Sequence, residues 1–79
     1  MNFLVGDLTL DCDQKPRVRI TFEGGHYEDG VYTATHGYNH LFLLDNGKTL
    51  RLSNYFMHLK GIRIKLLPPE EHKPEEQNL

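Results

Sequence analysis

The 79-residue chain has no tryptophan, a single cysteine and no apolar run long enough to cross a bilayer. One cysteine, Cys12, excludes an intramolecular disulfide, and such scarcity is typical of a reducing compartment. The N-terminus lacks the basic residues followed by an apolar stretch that mark a secretion signal. We therefore expect a cytoplasmic protein that does not interact with a membrane.

Motifs of catalysis and cofactor binding are also missing. The chain contains neither a P-loop nor a dinucleotide-binding glycine motif. Cys12 lies between Asp11 and Asp13, whose negative charges oppose formation of a nucleophilic thiolate. Glu28 and Asp29 are neighbours on an expected strand, so their side chains point to opposite faces. These absences predict a protein that is not an enzyme and binds no cofactor.

Histidine is abundant, with five in the chain. His36 and His40 straddle an expected turn, and Cys12 or His58 would have to complete a zinc site with them. The chain has no Cys-x-x-Cys pair, and its histidines do not have the spacing of two ligands on a helix. We therefore predict no metal site.

The length predicts one domain, near the lower limit for a chain that buries its own core. Residues 68–79 (PPEEHKPEEQNL) are polar, so we expect a flexible C-terminal tail there and a folded body over residues 1–67. Residues 70–79 carry four glutamates and one lysine, whereas residues 15–65 carry eight basic and four acidic residues. A body this small is marginally stable, and a homo-oligomer is one expected remedy.

Alternation of apolar and polar residues predicts six strands. The clearest lies at 17–23, where Val18, Ile20 and Phe22 share one face. Gly30, inside the following strand, is expected to allow a bend by which one strand serves both sides of a small barrel. Residues 2–10 are expected to form a single strand with a bulge at Gly6. The other strands are expected at 26–35, 40–45, 48–52 and 62–67, with turns at Gly24-Gly25, 36–39 and Asn46-Gly47.

Between the last two strands, Ser53 or Asn54 is expected to cap one helical turn over Tyr55–Leu59, which Gly61 ends. Strand, turn, strand, helical turn and strand form the closing half of a small barrel. The expected fold is therefore all-β, a barrel of five to six strands with one helical turn.

Residues 18–44 (VRITFEGGHYEDGVYTATHGYNHLFLL) resemble the first signature of Sm-like proteins. Gly25, Gly30 and Asn39 occupy its two glycine positions and its asparagine position. The chain departs from the pattern in having one residue fewer between Gly30 and Asn39, and no Ile-Arg-Gly second signature. Its size and closing segment are also similar to those of bacterial Sm-like inhibitors of the termination factor Rho.

Residues 41–66 are similar to the closing segment of SH3 domains, in which a small residue, Asn and Tyr recur as in Ser53-Asn54-Tyr55. The acidic loop and the tryptophan of the SH3 groove are missing, so recognition of polyproline peptides is not expected. Both resemblances imply an SH3-like or Sm-like barrel that acts as a binding module.

The candidate binding residues lie around the turn at 36–39 and in the helical turn. The Sm-like resemblance implies that the loop carrying Asn39 contacts RNA bases, with Tyr38 stacking and Arg51 or Arg63 holding phosphate. The alternative is structural, with Tyr38 covering the barrel end and Asn39 in a left-handed turn conformation. The candidate set is His36, Tyr38, Asn39, His40, Arg51, Tyr55 and Arg63.

A net charge of −2 favours a protein partner over nucleic acid, because phosphate neutralisation supplies most non-specific nucleic-acid affinity. The leading hypothesis is a non-enzymatic barrel that regulates a macromolecule by binding it. Two alternatives stay open: a module that binds single-stranded RNA, and an oligomer that sequesters a small nucleotide-type ligand at its subunit interfaces. Exposed strand faces offer further protein-binding surface at Arg17, Arg19, Thr21, Lys48, Thr49, Arg51, Arg63 and Lys65.

Overall fold

The computed structural model describes residues 1–69, so the expected tail at 68–79 lies almost entirely outside the described residues. The described chain is built of strands with one short α-helix and a single 3-10 turn, which confirms the all-β class. None of its helices is long and apolar enough to span a membrane. The elements are β1 (Asn2–Val5), β2 (Leu8–Asp11), the 3-10 turn (Cys12–Gln14), β3 (Arg17–Thr21), β4 (Tyr27–His36), β5 (Asn39–Leu44), β6 (Thr49–Ser53), α1 (Asn54–Lys60) and β7 (Arg63–Leu66).

The N-terminal segment is a hairpin of its own. β1 and β2 pair antiparallel as a two-stranded sheet, with Val5 opposite Leu8 across the turn Gly6-Asp7. The predicted single strand with a bulge at Gly6 is therefore wrong, and the described chain has seven strands where six were expected. Gly6 has φ +62°, as the first central residue of a type II′ turn requires. A Gly-Asp pair between two apolar strands is a sequence signal for this turn.

The other five strands form one antiparallel sheet in the order β6-β5-β4-β3-β7. The two outermost strands, β6 and β7, are joined by α1. Closure of this sheet into a barrel, of SH3-like or Sm-like type, stays a prediction.

The core lies on the inner face of this sheet, and the N-terminal hairpin contributes to it. Val18 and Ile20 of β3 are fully buried as predicted, whereas Phe22 is half-buried. The rings of Tyr32 and Phe42 meet in a tilted arrangement within the core, with their centroids 5.4 Å apart. The buried apolar residues are Val5, Leu10, Cys12, Val18, Ile20, Tyr32, Phe42, Leu44, Leu52, Met57 and Ile62.

Gly30 is required by the close approach of β5. A Cβ atom at this position would lie 2.5 Å from the carbonyl oxygen of Leu43 and 2.9 Å from Cα of Leu44. Both are backbone atoms of a paired strand, so no side chain can move aside to make room. The β4–β5 register then shifts between Tyr32 and Ala34, which marks a β-bulge in the same long strand.

The helix α1 has the predicted cap and stop residues but extends one residue further at each end than the predicted Tyr55–Leu59. Ser53 Oγ accepts a hydrogen bond from the Phe56 backbone N–H at 3.0 Å, which makes Ser53 the N-cap. Gly61 ends the helix with φ +68°. At seven residues, α1 is longer than the single turn expected. Because Ser53 supplies the cap, the side chain of Asn54 is available for other contacts.

Candidate partner-binding recess

A recess of about 430 Å³ opens between β1, the β4–β5 turn and the start of α1. Its rim is formed by Leu4, Tyr38 and Tyr55, which are 59%, 91% and 75% exposed. His40 and Asn54 line the base of the recess, beneath this rim. We call these five residues the tyrosine recess. No lysine, arginine, aspartate or glutamate is among the residues that line it.

The rim tyrosine of the β4–β5 turn is held outward by a two-residue turn. His36 pairs with Asn39, and Gly37 takes the left-handed conformation with φ +65°. The turn was predicted at this position, but the alternative in which Asn39 is left-handed is wrong, since Gly37 adopts that conformation instead. Tyr38 therefore projects from the tip of the hairpin and contributes nothing to the buried core.

Beneath the rim, His40 is only 4% exposed. Its Nδ1 atom lies 3.2 Å from both Tyr32 Oη and Thr35 Oγ1, and these two hydroxyls contact each other. Its Nε2 atom lies 3.2 Å from Asn54 Oδ1. His40, the first residue of the strand predicted at 40–45, is thus the second residue of β5, with both ring nitrogens engaged inside the protein. His40 supports the recess and is not available to a partner in this conformation.

Asn54 connects this histidine to the N-terminal hairpin. Its Oδ1 accepts a hydrogen bond from the Gly6 N–H at 2.9 Å, and its Nδ2 donates to the Leu4 carbonyl at 2.8 Å. One amide side chain therefore satisfies two backbone groups close to the Gly6-Asp7 turn. It also holds Leu4 beside the two tyrosines, so the rim is completed by a residue fifty positions away in sequence.

These contacts define the tautomer of the neutral His40 ring. Because Asn54 Oδ1 can only accept, Nε2 carries the proton and Nδ1 accepts from a hydroxyl. Burial lowers the pKa of His40 from its ordinary value of 6.5, against the opposing effects of Asn54 and the Leu4 carbonyl. Burial likewise raises the pKa of Tyr32. The base of the recess is therefore neutral at physiological pH.

The structure brings only part of the candidate set together. Tyr38, His40 and Tyr55 line the recess. His36 is exposed and Asn39 half-buried at the base of the same turn. Arg51 is exposed on β6 opposite Leu41, outside the lining, and Arg63 lies on β7, where it lines a separate groove.

Sequence reasoning missed Leu4 and Asn54. Leu4 reaches the recess only because residues 2–11 fold as a hairpin, for which the Gly6-Asp7 pair was the available signal. Asn54 was considered as an alternative helix cap and as part of the SH3-like sequence Ser53-Asn54-Tyr55, but not as a candidate binding residue. No local pattern indicates that its side chain bonds to residues near the N-terminus.

Among residues 1–69, no histidine comes together with two further side chains of metal-ligand type. The one group of three ligand-type side chains there is Asp11, Cys12 and Asp13, whose ligand atoms lie within 4.8 Å of one another. Cys12 is buried in the core. Asp11 accepts from the backbone N–H of Asp13 at 3.0 Å, which caps the 3-10 turn, and from the N-terminal amine at 3.2 Å. These contacts give the acidic pair a structural role.

Two of the predicted basic strand residues are paired. Arg17 binds Asp45 and Arg19 binds Asp29, each through two nitrogen–oxygen contacts of 2.7–3.0 Å. The guanidinium of Arg19 lowers the pKa of Asp29, and that of Arg17 lowers the pKa of Asp45. These arginines fasten β3 to neighbouring elements, so less of the basic surface is open to a ligand than the sequence suggested.

Comparison of the chain with family models, with curated proteins and with solved structures finds no match. The resemblances to Sm-like proteins and SH3 domains are therefore neither supported nor contradicted. The geometry and charge of the recess are the remaining guides to function.

Proposed function

We propose that the chain is a non-enzymatic interaction module that regulates a protein partner by binding it at the tyrosine recess. The observation that carries the proposal is the exposure of Tyr38 and Tyr55 on separate elements around one recess. Tyrosine combines a large apolar ring with a polar tip and is enriched among residues that dominate binding energy. Neither side chain contributes to the core, so folding alone does not account for them.

The finer description of the fold belongs to the same proposal. A small SH3-like or Sm-like barrel is supported by the sheet order β6-β5-β4-β3-β7 and by the helix that joins its two outer strands. A cytoplasmic location is supported by the single cysteine. A homo-oligomer stays an expectation from the small size of the body.

A protein partner is preferred to RNA because of the charge of the recess. Its lining contains no cationic side chain, and the two arginines predicted to hold phosphate lie elsewhere. Bases that stack on tyrosine bind only weakly when no positively charged side chains contact the phosphate backbone. The same lack of cations disfavours a nucleotide-type ligand at the recess.

The test is affinity capture from lysate with the wild-type chain, with a variant carrying both Tyr38→Ala and Tyr55→Ala, and with Tyr27→Ala. Tyr27 is a matched control, because it is 49% exposed on β4 and lies outside the recess. We expect one stoichiometric protein that survives nuclease, is lost with the double variant and is retained with Tyr27→Ala. Affinity of the purified pair should fall at least about 100-fold in the double variant.

Other outcomes would assign the function differently. Capture that nuclease abolishes, with salt-dependent binding of single-stranded RNA lost in Tyr38→Ala, would overturn the protein-partner proposal in favour of RNA. Thermal stabilisation by one member of a nucleotide panel, with no protein captured, would favour the sequestering oligomer. Equal capture by all three chains would show that the partner does not use the recess.

A further inference from the structure

A second surface lies along β7, the last strand of the five-stranded sheet. β7 pairs with β3 on one side, and no strand among residues 1–69 pairs with its other side. An unpaired sheet edge offers a row of backbone donors and acceptors to another extended chain.

The register identifies which backbone groups face outward. The Leu67 N–H donates to the Arg17 carbonyl at 2.8 Å, so this pair is hydrogen-bonded. Hydrogen-bonded and non-hydrogen-bonded pairs alternate along an antiparallel ladder. The N–H and C=O groups of Ile64 and Leu66 therefore point away from β3, to the free edge.

A groove of about 740 Å³ runs beside this strand, between the Gly6-Asp7 turn, the end of α1 and β7 itself. Arg63 and Lys65 line it, are exposed, and take part in no ion pair within residues 1–69. His58 also lines it, and Asp7 is its one carboxylate. The groove therefore combines a free strand edge with two unpaired cationic side chains on one face of that strand.

We propose that this edge binds an extended acidic segment of a protein partner, which adds a strand to β7. The added backbone would pair with Ile64 and Leu66. Carboxylates at alternate positions of the segment would then lie beside Arg63 and Lys65, because cross-strand neighbours on one face are about 5 Å apart. The surface shares only Asn54 with the tyrosine recess, so the proposal does not depend on the function assigned to that recess.

A second copy of the chain fits the edge poorly. Antiparallel pairing of two β7 strands would bring Arg63 and Lys65 of one copy against the same residues of the other. Pairing of β7 with the opposite edge, β6, would bring them towards Arg51, which is exposed there. Like charges on adjacent strands are destabilising and protect sheet edges from self-association. An acidic strand meets no such repulsion.

The probe is a capped peptide of alternating Glu and Val, six residues long, titrated into the full chain by NMR at moderate salt. We expect shifts centred on the amides of Ile64 and Leu66, with slower hydrogen exchange at both. A Lys-Val peptide of the same length should not bind. An acidic peptide N-methylated at alternate residues keeps its charge but loses the donors that pair with the edge, so its affinity should fall at least about tenfold.

Charge-reversal variants locate the site. The pair Arg63→Glu and Lys65→Glu should weaken binding of the acidic peptide at least about tenfold, whereas Lys48→Glu, in the exposed β5–β6 turn, should have little effect. Equal affinity for the N-methylated peptide would overturn strand addition. So would equal loss on Lys48→Glu, shifts located away from β7, or no binding at millimolar peptide.

Discussion

The two rim tyrosines and the two base residues of the tyrosine recess are close neighbours in sequence, but they differ in exposure and in hydrogen bonding. Tyr38 is 91% exposed, whereas His40, two residues later, is 4% exposed. Asn54 is hydrogen-bonded to three residues, whereas Tyr55, the next residue, is 75% exposed. The contacts of the base stabilise the fold, and the proposed function assigns the exposed rim to a partner. Substitutions in the base should cost stability, and those in the rim should cost binding alone.

The largest effect is expected from His40→Ala. The substitution leaves a cavity and removes the acceptor for the hydroxyls of buried Tyr32 and half-buried Thr35, together with the donor to Asn54. We expect the free energy of unfolding to fall by about 2–4 kcal/mol, measured by urea denaturation. His36→Ala is the matched control, because His36 is exposed on the same hairpin, and should change stability by less than about 0.5 kcal/mol. Equal losses in the two variants would contradict the distinction between base and rim.

A smaller and more local effect is expected from Asn54→Ala. The Gly6 N–H and the Leu4 carbonyl lose their partner, and both lie close to solvent, so we expect a loss of about 1–3 kcal/mol. Hydrogen exchange should show the N-terminal hairpin opening before the five-stranded sheet.

The neighbouring residue supplies the control for that experiment. Ser53→Ala removes the cap of α1 and should cost about 1 kcal/mol, with faster exchange at the Phe56 amide and not at Gly6. If Asn54→Ala and Ser53→Ala gave the same exchange pattern, Asn54 would act on the helix and not on the hairpin.

The strands of the main sheet, the capped helix and its glycine stop could be predicted because each rests on local chemistry: alternation at Val18 and Ile20, the Ser53 cap and Gly61. The aromatic residues of the rim were also found, because polar aromatic residues in a turn have no packing role. Asn54 of the base and Leu4 of the rim were missed for a physical reason. The link from Asn54 to Gly6 and Leu4 joins residues about fifty positions apart, and no periodicity encodes such a contact. Arg51 and Arg63 lie outside the recess because strand pairing places them on the two outermost strands of the sheet, β6 and β7.

Titration of His40 should make the free energy of unfolding depend on pH. Its pKa is lowered in the folded state by burial, so between the ordinary value of 6.5 and that lower value the unfolded chain binds a proton that the folded chain does not. Stability should therefore decrease as pH falls from 6.5 and level off below the folded pKa. The charged groups that face His40 are few, since neither the recess nor its bonded partners Tyr32, Thr35 and Asn54 contribute an acidic or basic side chain.

The control for the pH dependence is His40→Gln, which retains a polar side chain but does not titrate. Its stability should vary less across this window than that of the wild type. Asp29 and Asp45 have pKa values lowered by their arginine partners, so their contribution is lost only as pH falls below 3.8, outside the window. The same slope in both proteins would show that His40 is not the source of the pH dependence.

The smallest effect on stability is expected from the rim. Tyr38→Ala and Tyr55→Ala remove side chains that are 91% and 75% exposed, so each should change the free energy of unfolding by less than about 0.5 kcal/mol in urea denaturation. The Gly37 turn and the Ser53 cap are unaffected by either substitution. A loss above about 1.5 kcal/mol would mean that a rim tyrosine stabilises the fold. That result would favour the structural alternative, in which Tyr38 covers the end of the barrel. A stable variant that no longer captures the partner would separate the two roles, because the base would remain intact while binding was lost.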